Sequence, residues 1–422
     1  MSKPQGSARR SAVWLLDQVI GDGRMLSDLL TTSSFLRLEP AERARAQRLA
    51  TDTLRSIERA DRLIGRHIQK KPPLHIRNIL RLATVELARG GDAHGVVGEA
   101  VGMVSSNNRM VRYKGLINAV LRKLSDTAPR SWNDLRTPRL PNWLRSPLLT
   151  AYGPGAVTSM EAAHYAGAPL DLTPKVDAEH VAQQTDGMVL PGGSVRVTSP
   201  GQVSQMPGFA EGEWWVQDAA AAFPVRILDP KQGENVLDLC AAPGGKTLQI
   251  AASGADVTAL DMSEERMRRV RENLERTSLS ATCITTKAQG YDEGLFDAIL
   301  LDAPCSATGT LRRHPDLPFA KDGSDIGEMI SLQAEMLDHA LRLLRPGGRL
   351  MYCTCSLLPD EGECQVEEAL ARHDGLSVDR DALKIEGVDP RWVTEEGGLR
   401  LRPDYWPERG GMDGFYMALL RR

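Results

Sequence analysis

Two segments of this chain each carry an apolar run onto a cysteine in a small polar turn. They are Leu301-Asp302-Ala303-Pro304-Cys305-Ser306 and Leu350-Met351-Tyr352-Cys353-Thr354-Cys355-Ser356. A third run, Val236-Leu237-Asp238-Leu239, leads into Cys240-Ala241-Ala242-Pro243-Gly244-Gly245-Lys246-Thr247. Each reads as a strand followed by a turn. A cysteine attacks only as thiolate, so it needs access and a neighbourhood that favours the anion, such as a helix N-terminus. Taken singly, Cys305 or Cys355 is more often a buried, inert thiol. Ligands of open α/β sheets, however, bind beyond the carboxyl ends of the strands. Two thiols and a glycine-rich turn at three such ends suggest one site that holds a cofactor and attacks a substrate with sulfur. Cys353 shares a face of the pleat with Cys355 but lies deeper, so it and Cys283 are assigned to the core.

The glycine-rich turn is not a phosphate loop. A Walker motif requires glycine five residues before Gly245, where this chain has Cys240, and no Gly-x-Gly-x-x-Gly is present. A tight strand-to-helix turn remains, which lets a ligand approach the backbone. Asp261 ends the next apolar run and is placed to accept from ribose hydroxyls; equally, it could cap a helix beginning near Ser263. Asp238, inside the first strand, could brace the turn. A ribose carboxylate without a phosphate loop fits a nucleoside cofactor, of which S-adenosylmethionine is the commonest.

Beside a methyl donor, a thiolate has a specific use. Attack on C6 of cytosine turns the ring into an enamine-like species whose C5 accepts a methyl group. A base then removes the C5 proton and the thiolate leaves. Asp302, Cys305 and Cys355 supply the group set for this reaction, and the base would have to leave its stack to reach them. These residues alone do not rank the two thiols.

The elements that must position these groups are legible in outline. The 422 residues exceed one core and imply two or three domains; 41% hydrophobic and 25% charged residues are ordinary for a globular protein. No apolar run reaches bilayer length, and the polar N-terminus, Met1 to Ser11, does not resemble a signal peptide. Cytoplasmic location is expected. All six cysteines fall in the second half, which argues for reduced thiols rather than a disulfide framework. Cys353-Thr354-Cys355 is too tight for usual zinc spacing, so no metal is expected. Residues 1–130 hold 23 Lys+Arg against 12 Asp+Glu, and the remainder 29 against 43. A basic end on an acidic body fits a polyanionic partner, or an arginine-rich solvated helical surface.

Residues 8–125 show helical spacing: Val13, Leu16 and Ile20, then Ile76, Ile79, Leu80, Ala83 and Leu87. Residues 126–160 read as a connector with short helical pieces, and 165–225 as a small α+β subdomain. From Gly233 the pattern is β-α-β-α. Strands are expected at 235–239, 256–260, 281–286, 296–301 and 349–354, with helices at 246–252, 264–278, 329–344 and 361–372. Arg345-Pro346-Gly347-Gly348 reads as a turn, and Gly414 to Leu420 as a late strand. A parallel sheet covered by helices follows.

Asp302-Ala303-Pro304-Cys305-Ser306, Thr354-Cys355-Ser356 and Cys240 through Lys246 resemble the motifs of RNA cytosine-C5 methyltransferases. The similarity is greatest to the small-subunit ribosomal RNA methyltransferase B (Sun/Fmu-type) family. Residues 8–125, with Lys114-Gly115-Leu116-Ile117-Asn118-Ala119-Val120-Leu121-Arg122, resemble its NusB-like helical domain; Arg312-Arg313-His314-Pro315-Asp316 and Asp413-Gly414-Phe415-Tyr416 also fit. The resemblance implies a multi-domain chain: an all-α NusB-like RNA-binding domain (1–130), a linker with an α+β subdomain (131–228) and an α/β Rossmann-like methyltransferase domain (229–422). By that resemblance Cys355 attacks C6, Cys305 assists breakdown of the adduct and Asp302 contacts the ring. S-adenosylmethionine would lie against Cys240, Ala241, Ala242, Pro243, Gly244, Gly245, Lys246, Asp261 and Asp302. The implied partner is 16S ribosomal RNA or a small-subunit precursor, met by a monomer without membrane or metal. Candidate RNA contacts are Arg9, Arg10, Arg109, Arg112, Lys114, Arg312 and Arg313, each otherwise an ordinary solvated charge.

Two departures stand out. The family's acidic residue after the third strand is missing from Thr286-Lys287-Ala288-Gln289-Gly290, where Gln289 is the substitute. A Pro-Leu-x-x-Arg-Val-Asn motif is replaced by Pro169-Leu170-Asp171-Leu172-Thr173-Pro174-Lys175-Val176-Asp177, where Lys175 takes the polar role. Alternatives are a tRNA cytosine-C5 methyltransferase, or an RNA-binding assembly factor that has lost catalysis.

Overall fold

A computed structural model describes residues 7–105, 108–198 and 200–422. They form two compact units. The first comprises the chain up to Ser146 together with Pro154–Ala166 and Leu311–Asp322; the second holds Pro147–Gly153, Gly167–Thr310 and Gly323–Arg422.

The first unit is helical. Helix Ala8–Asp22 starts where the Ser7 hydroxyl accepts from the Arg10 amide, and it stops at Gly23 with φ 65°. Helices Pro40–Gly65, Leu74–Ala88, Ala93–Ser105 and Lys114–Ser131 follow. Their apolar stripes supply Leu16, Leu63, Ile76, Ile79, Leu80, Leu121 and Leu124 to one core. The connector is more helical than its proline content suggests. Pro129 is absorbed near the end of helix Lys114–Ser131, and Asn142–Ala166 is helical apart from a break at Gly153.

The second unit contains two sheets. Strands β1 (Leu170–Pro174), β2 (Met188–Val189), β3 (Val195–Val197) and β4 (Trp214–Val216) form a small antiparallel sheet in the order β2-β3-β1-β4. The larger sheet uses β5 (Asn235–Leu239), β6 (Asp256–Asp261), β7 (Thr282–Thr285), β8 (Phe296–Asp302), β9 (Leu344–Thr354), β10 (Ser377–Val378), β11 (Leu399–Leu401) and β12 (Phe415–Arg421). Its order is β10-β12-β9-β8-β5-β6-β7, with β11 paired to β12.

The central strands are apolar on both faces because both faces are covered. Leu237, Leu239, Ile299, Leu301, Leu350 and Tyr352 pack with Met336, Leu337, Val366 and Ala369 of helices Ile326–Arg342 and Glu363–Arg372. The alternating residues Val236, Ala298, Leu300, Met351 and Cys353 face Ala220, Phe223 and Ile227 of helix Ala219–Leu228.

Two expectations require correction. The sheet is mixed: β5, β6, β7, β8 and β9 run parallel, but β12 is antiparallel to β9, and β10 and β11 are antiparallel to β12. Parallel pairing needs a long crossover, usually a helix, and no α-helix intervenes between β11 and β12. The segment Arg345-Pro346-Gly347-Gly348 does not separate a helix from a strand. It lies inside β9, which begins at Leu344 and bulges between the pairs Phe296–Leu344 and Ala298–Arg349. Proline and a glycine at φ 77° are accommodated because the bulge leaves the ladder locally unpaired.

Candidate active site

β8 and β9 are adjacent and parallel, with Asp302 in register with Cys353. The turns that leave these strands therefore start side by side. Hydrogen bonds hold them there: Ala303 N–H donates to Cys353 O (2.9 Å), and Gly309 N–H to Cys355 O (2.9 Å). Gly309 in turn accepts from Gly414 N–H at 2.8 Å. A Cβ on Gly309 would stand 1.9 Å from Gly414 O, so only glycine fits. The outcome is that Cys305 Sγ and Cys355 Sγ lie 3.4 Å apart. The S–H···S contact, burial and the neighbouring Glu361 charge push the Cys305 thiol well above its usual range, the contact being the largest cause.

β5 and β6 lie on the other side of β8. The turn after β5 starts at Cys240, which holds φ 63°, and reaches Gly244 at φ 107°, directly before helix Gly245–Ala252. Burial, followed by the charges of Asp302 and Asp261, pushes the Cys240 thiol up to about 12. That environment disfavours the thiolate a nucleophile requires.

Lys246 reaches Asp302 (Nζ–Oδ2 2.7 Å) and sits 5.2 Å from the Phe415 ring centroid. Burial works against the ammonium, but Asp302 outweighs it and the Lys246 pKa is raised. Asp302 also accepts from the Cys353 thiol at 3.5 Å. Asp238 receives the Thr247 hydroxyl on Oδ2 at 2.6 Å, so it braces the turn from below. Asp261 accepts from Ala242 N–H (3.3 Å), Ser263 N–H (2.9 Å) and Arg266 Nη2 (2.8 Å). The helix cap itself is Ser263. Two carboxylates and an ammonium around a backbone turn suit a ligand with ribose hydroxyls and an amino-acid end. Among the described residues no cluster of His, Cys, Asp and Glu could hold a metal ion.

Asp238 carries a stability consequence. Burial, partly offset by Thr247, raises its carboxyl to about 7. The proton bound in the folded state stabilises below the ordinary value of 3.8, and this contribution is lost as pH rises through about 7. Asp238→Asn keeps the Thr247 hydrogen bond without a titratable group. It is expected to raise the unfolding temperature by several degrees above neutrality, and by progressively less as pH falls from about 7 toward about 4, read by thermal denaturation across pH.

Residues 225–421 match the 16S rRNA methyltransferase RsmB/F family model, and residues 6–126 match the NusB family. The ribosomal RNA small subunit methyltransferase B of Erwinia tasmaniensis is 34% identical over 446 residues, 99% of each chain. That of Salmonella arizonae is 36% identical over 397 residues, 88% of this chain and 91% of the relative. The chain belongs to the ribosomal RNA small subunit methyltransferase B family. Among solved structures, a methyltransferase homolog protein from Pyrococcus horikoshii superposes with TM-score 0.54 at 27% identity, covering 66% of this chain and 93% of that one. PH0851 covers 100% of both chains at TM-score 0.75 and 24% identity, a likeness of fold.

In this chain, Cys240 through Lys246, Asp261, Asp302, Cys305 and Cys355 all belong to neighbouring strand ends of one sheet. Gln289 is exposed in the short turn Ala288–Gly290 after β7. The basic candidates divide. Arg112 and Lys114 are exposed, with Arg112 stacked 5.0 Å from the Tyr113 ring. Arg109 lies in the turn before them. Arg9 is instead consumed by ion pairs to Glu86 and Glu99, both 2.6 Å, and Arg10 Nη2 donates to Gly102 O. Lys175 is not a solvent-facing cation either: its Nζ donates to Thr277 O at 2.6 Å. Arg312 is fully buried, out of reach of a phosphate from solvent, whereas Arg313 is half-buried.

Sequence reasoning missed Glu361. It is fully buried and accepts from Ser306 N–H (2.8 Å), Gln333 Nε2 (3.0 Å) and the hydroxyls of Ser306 and Ser356 (both 2.5 Å). The available signal was a glutamate soon after Cys355, paired with a serine directly following each cysteine.

Proposed function

We propose that this protein methylates C5 of a cytosine in 16S ribosomal RNA, in the cytoplasm, through a covalent adduct between Cys355 and C6 of the base. The carrying observation is the 3.4 Å approach of two thiols beside a carboxylate, at the strand ends that also bear the glycine turn. Two sulfurs so close can address one atom pair of one ring, one adding and the other assisting departure.

S-adenosylmethionine, when bound, supplies an electrophilic methyl group. Cys240 through Lys246, Asp261 and Asp302 would hold it: the donor set matches ribose hydroxyls and an amino-acid end. Cys355 Sγ forms a bond to C6, and the electron pair displaced from the C5–C6 bond makes C5 nucleophilic. Asp302 orients the ring by accepting from its amino group, as carboxylates do with cytosine N4. Once C5 carries its new methyl group, the Cys305 thiol gives its proton to the departing Cys355 sulfur, and the Cys305 thiolate so formed takes the C5 proton; the C5–H electron pair becomes the C5–C6 double bond as the S–C bond breaks. The flipped base must be delivered by RNA contacts, for which Arg109, Arg112, Lys114 and Arg313 remain candidates; binding should weaken steeply with salt. The names of the relatives, with 99% mutual coverage, support the small-subunit rRNA as substrate.

The test is bisulfite sequencing of total RNA from cells with and without the gene. A single 16S cytosine that loses protection in the deletion strain is expected. Loss confined to tRNA, or no loss, would overturn the substrate assignment.

A further inference from the structure

The two-cysteine centre has a support that the reaction itself does not name. Cys305 and Cys355 sit on separate turns, and each is followed at once by a serine. Both serines converge on the same carboxylate. Glu361 Oε1 accepts from Ser306 N–H and Gln333 Nε2, while Oε2 accepts from both serine hydroxyls. Thr308 Oγ1 lies 3.2 Å from each serine oxygen and accepts from Leu357 N–H at 2.9 Å, closing the network. The main chain of Glu361 is fixed as well: its carbonyl accepts from Tyr352 Oη (2.9 Å) and Thr354 Oγ1 (3.0 Å), both on β9. Four donors aimed at two carboxylate oxygens is the pattern that makes a buried acceptor tolerable, and it rigidifies every donor involved.

We propose that Glu361 is the positioning residue of the dithiol centre, clamping the Cys305 turn to the Cys355 turn and biasing their shared proton onto Cys305. This rests on the methyltransferase reading above and adds to it a residue, Glu361, that holds the two thiols in place and makes them unequal. Glu361 bonds to the amide of the residue next to Cys305, and its negative charge disfavours a second anion there. The neighbouring charges have been committed elsewhere. Arg400 Nη1 donates to Ser356 O, but its guanidinium is ion-paired with Glu363 (Nε–Oε1 2.9 Å). Lys246 is ion-paired with Asp302. Cys353 donates to Asp302, and Tyr352 spends its hydroxyl on the Glu361 carbonyl. Neither of these two cations is thus directed at Cys305 to oppose Glu361. With the proton retained on Cys305, the electron pair free to attack C6 belongs to Cys355, and Cys305 is left as the group that handles a proton later.

Glu361 touches neither substrate nor cofactor in this account, so its test needs a readout that mere stability would not move. The near-isosteric Glu361→Gln removes the charge and replaces one acceptor with a donor. Its kcat for RNA methylation is expected to fall by about tenfold or more, since small misplacements of reacting groups are costly, with the KM for S-adenosylmethionine within about twofold. Cys305 alkylation by iodoacetamide, read by peptide mapping on Cys355→Ser protein without RNA or cofactor, reads the effect of the charge separately. Adding Glu361→Gln is expected to move the pH midpoint of that reaction down by about half a unit or more, the scale on which one nearby charge acts. Ser356→Ala, which releases only the Cys355 turn, should lower kcat about threefold or more and leave the Cys305 midpoint in place; it also serves if Glu361→Gln does not fold. An unmoved midpoint together with kcat within about twofold in the variants would overturn the proposal. If the unsubstituted enzyme transfers no methyl group to RNA, the functional reading fails, whereas the alkylation profile still decides the role of Glu361.

Discussion

Cys355→Ala is expected to abolish methyl transfer to RNA, by about 10³-fold or more, as removal of a covalent nucleophile generally does. Cofactor affinity, measured by calorimetry with S-adenosylhomocysteine, should be unchanged. The reason is geometric: Cys355 lies on the turn after β9, whereas the glycine turn follows β5 on the far side of β8. C5 of cytosine has too little electron density to accept a methyl group without addition at C6, so the reaction has no route around the lost nucleophile. Full activity in this variant, with loss in Cys305→Ala and no adduct, would reverse the roles of the two thiols.

Cys305→Ala should behave differently. Addition at C6 and methylation at C5 proceed, but loss of the C5 proton and departure of Cys355 are impaired. Turnover is expected to fall by about 10²–10⁴-fold, the usual range for a positioned acid or base. The protein should also remain attached to its RNA, seen as a slow band that survives denaturant. Cys305 holds its proton well above the ordinary thiol range, so it is suited to proton handling rather than to standing as a second anion 3.4 Å from Cys355.

Much of this was legible in the chain. The strand ends at Leu239, Asp261, Asp302 and Thr354 were recognisable because central strands buried on both faces read as apolar runs with abrupt polar turns. The pairing of Cys305 with Cys355 follows from the same rule, since neighbouring parallel strands end together. Other features depend on contacts between distant residues. Nothing local marks Lys175 as a partner of the Thr277 carbonyl, or Arg312 as buried. An arginine in a basic motif looks the same whether it meets phosphate or protein. Strand direction at the β12 edge was equally hidden, because an apolar run specifies pairing but not polarity. Glu361 was hidden by its type: a glutamate in a turn is ordinarily solvated, and only the convergence of Ser306, Ser356 and Gln333 distinguishes it.

The central claim concerns one bond, between sulfur and a pyrimidine carbon. It is tested most directly by digesting the denaturant-resistant complex of Cys305→Ala with 16S RNA and sequencing the cross-linked peptide by mass spectrometry. A cytosine nucleotide bearing one extra methyl group and attached at residue 355 is the expected product. Attachment at any other residue, or rRNA methylated at C5 by protein that never becomes linked to it, would contradict the account.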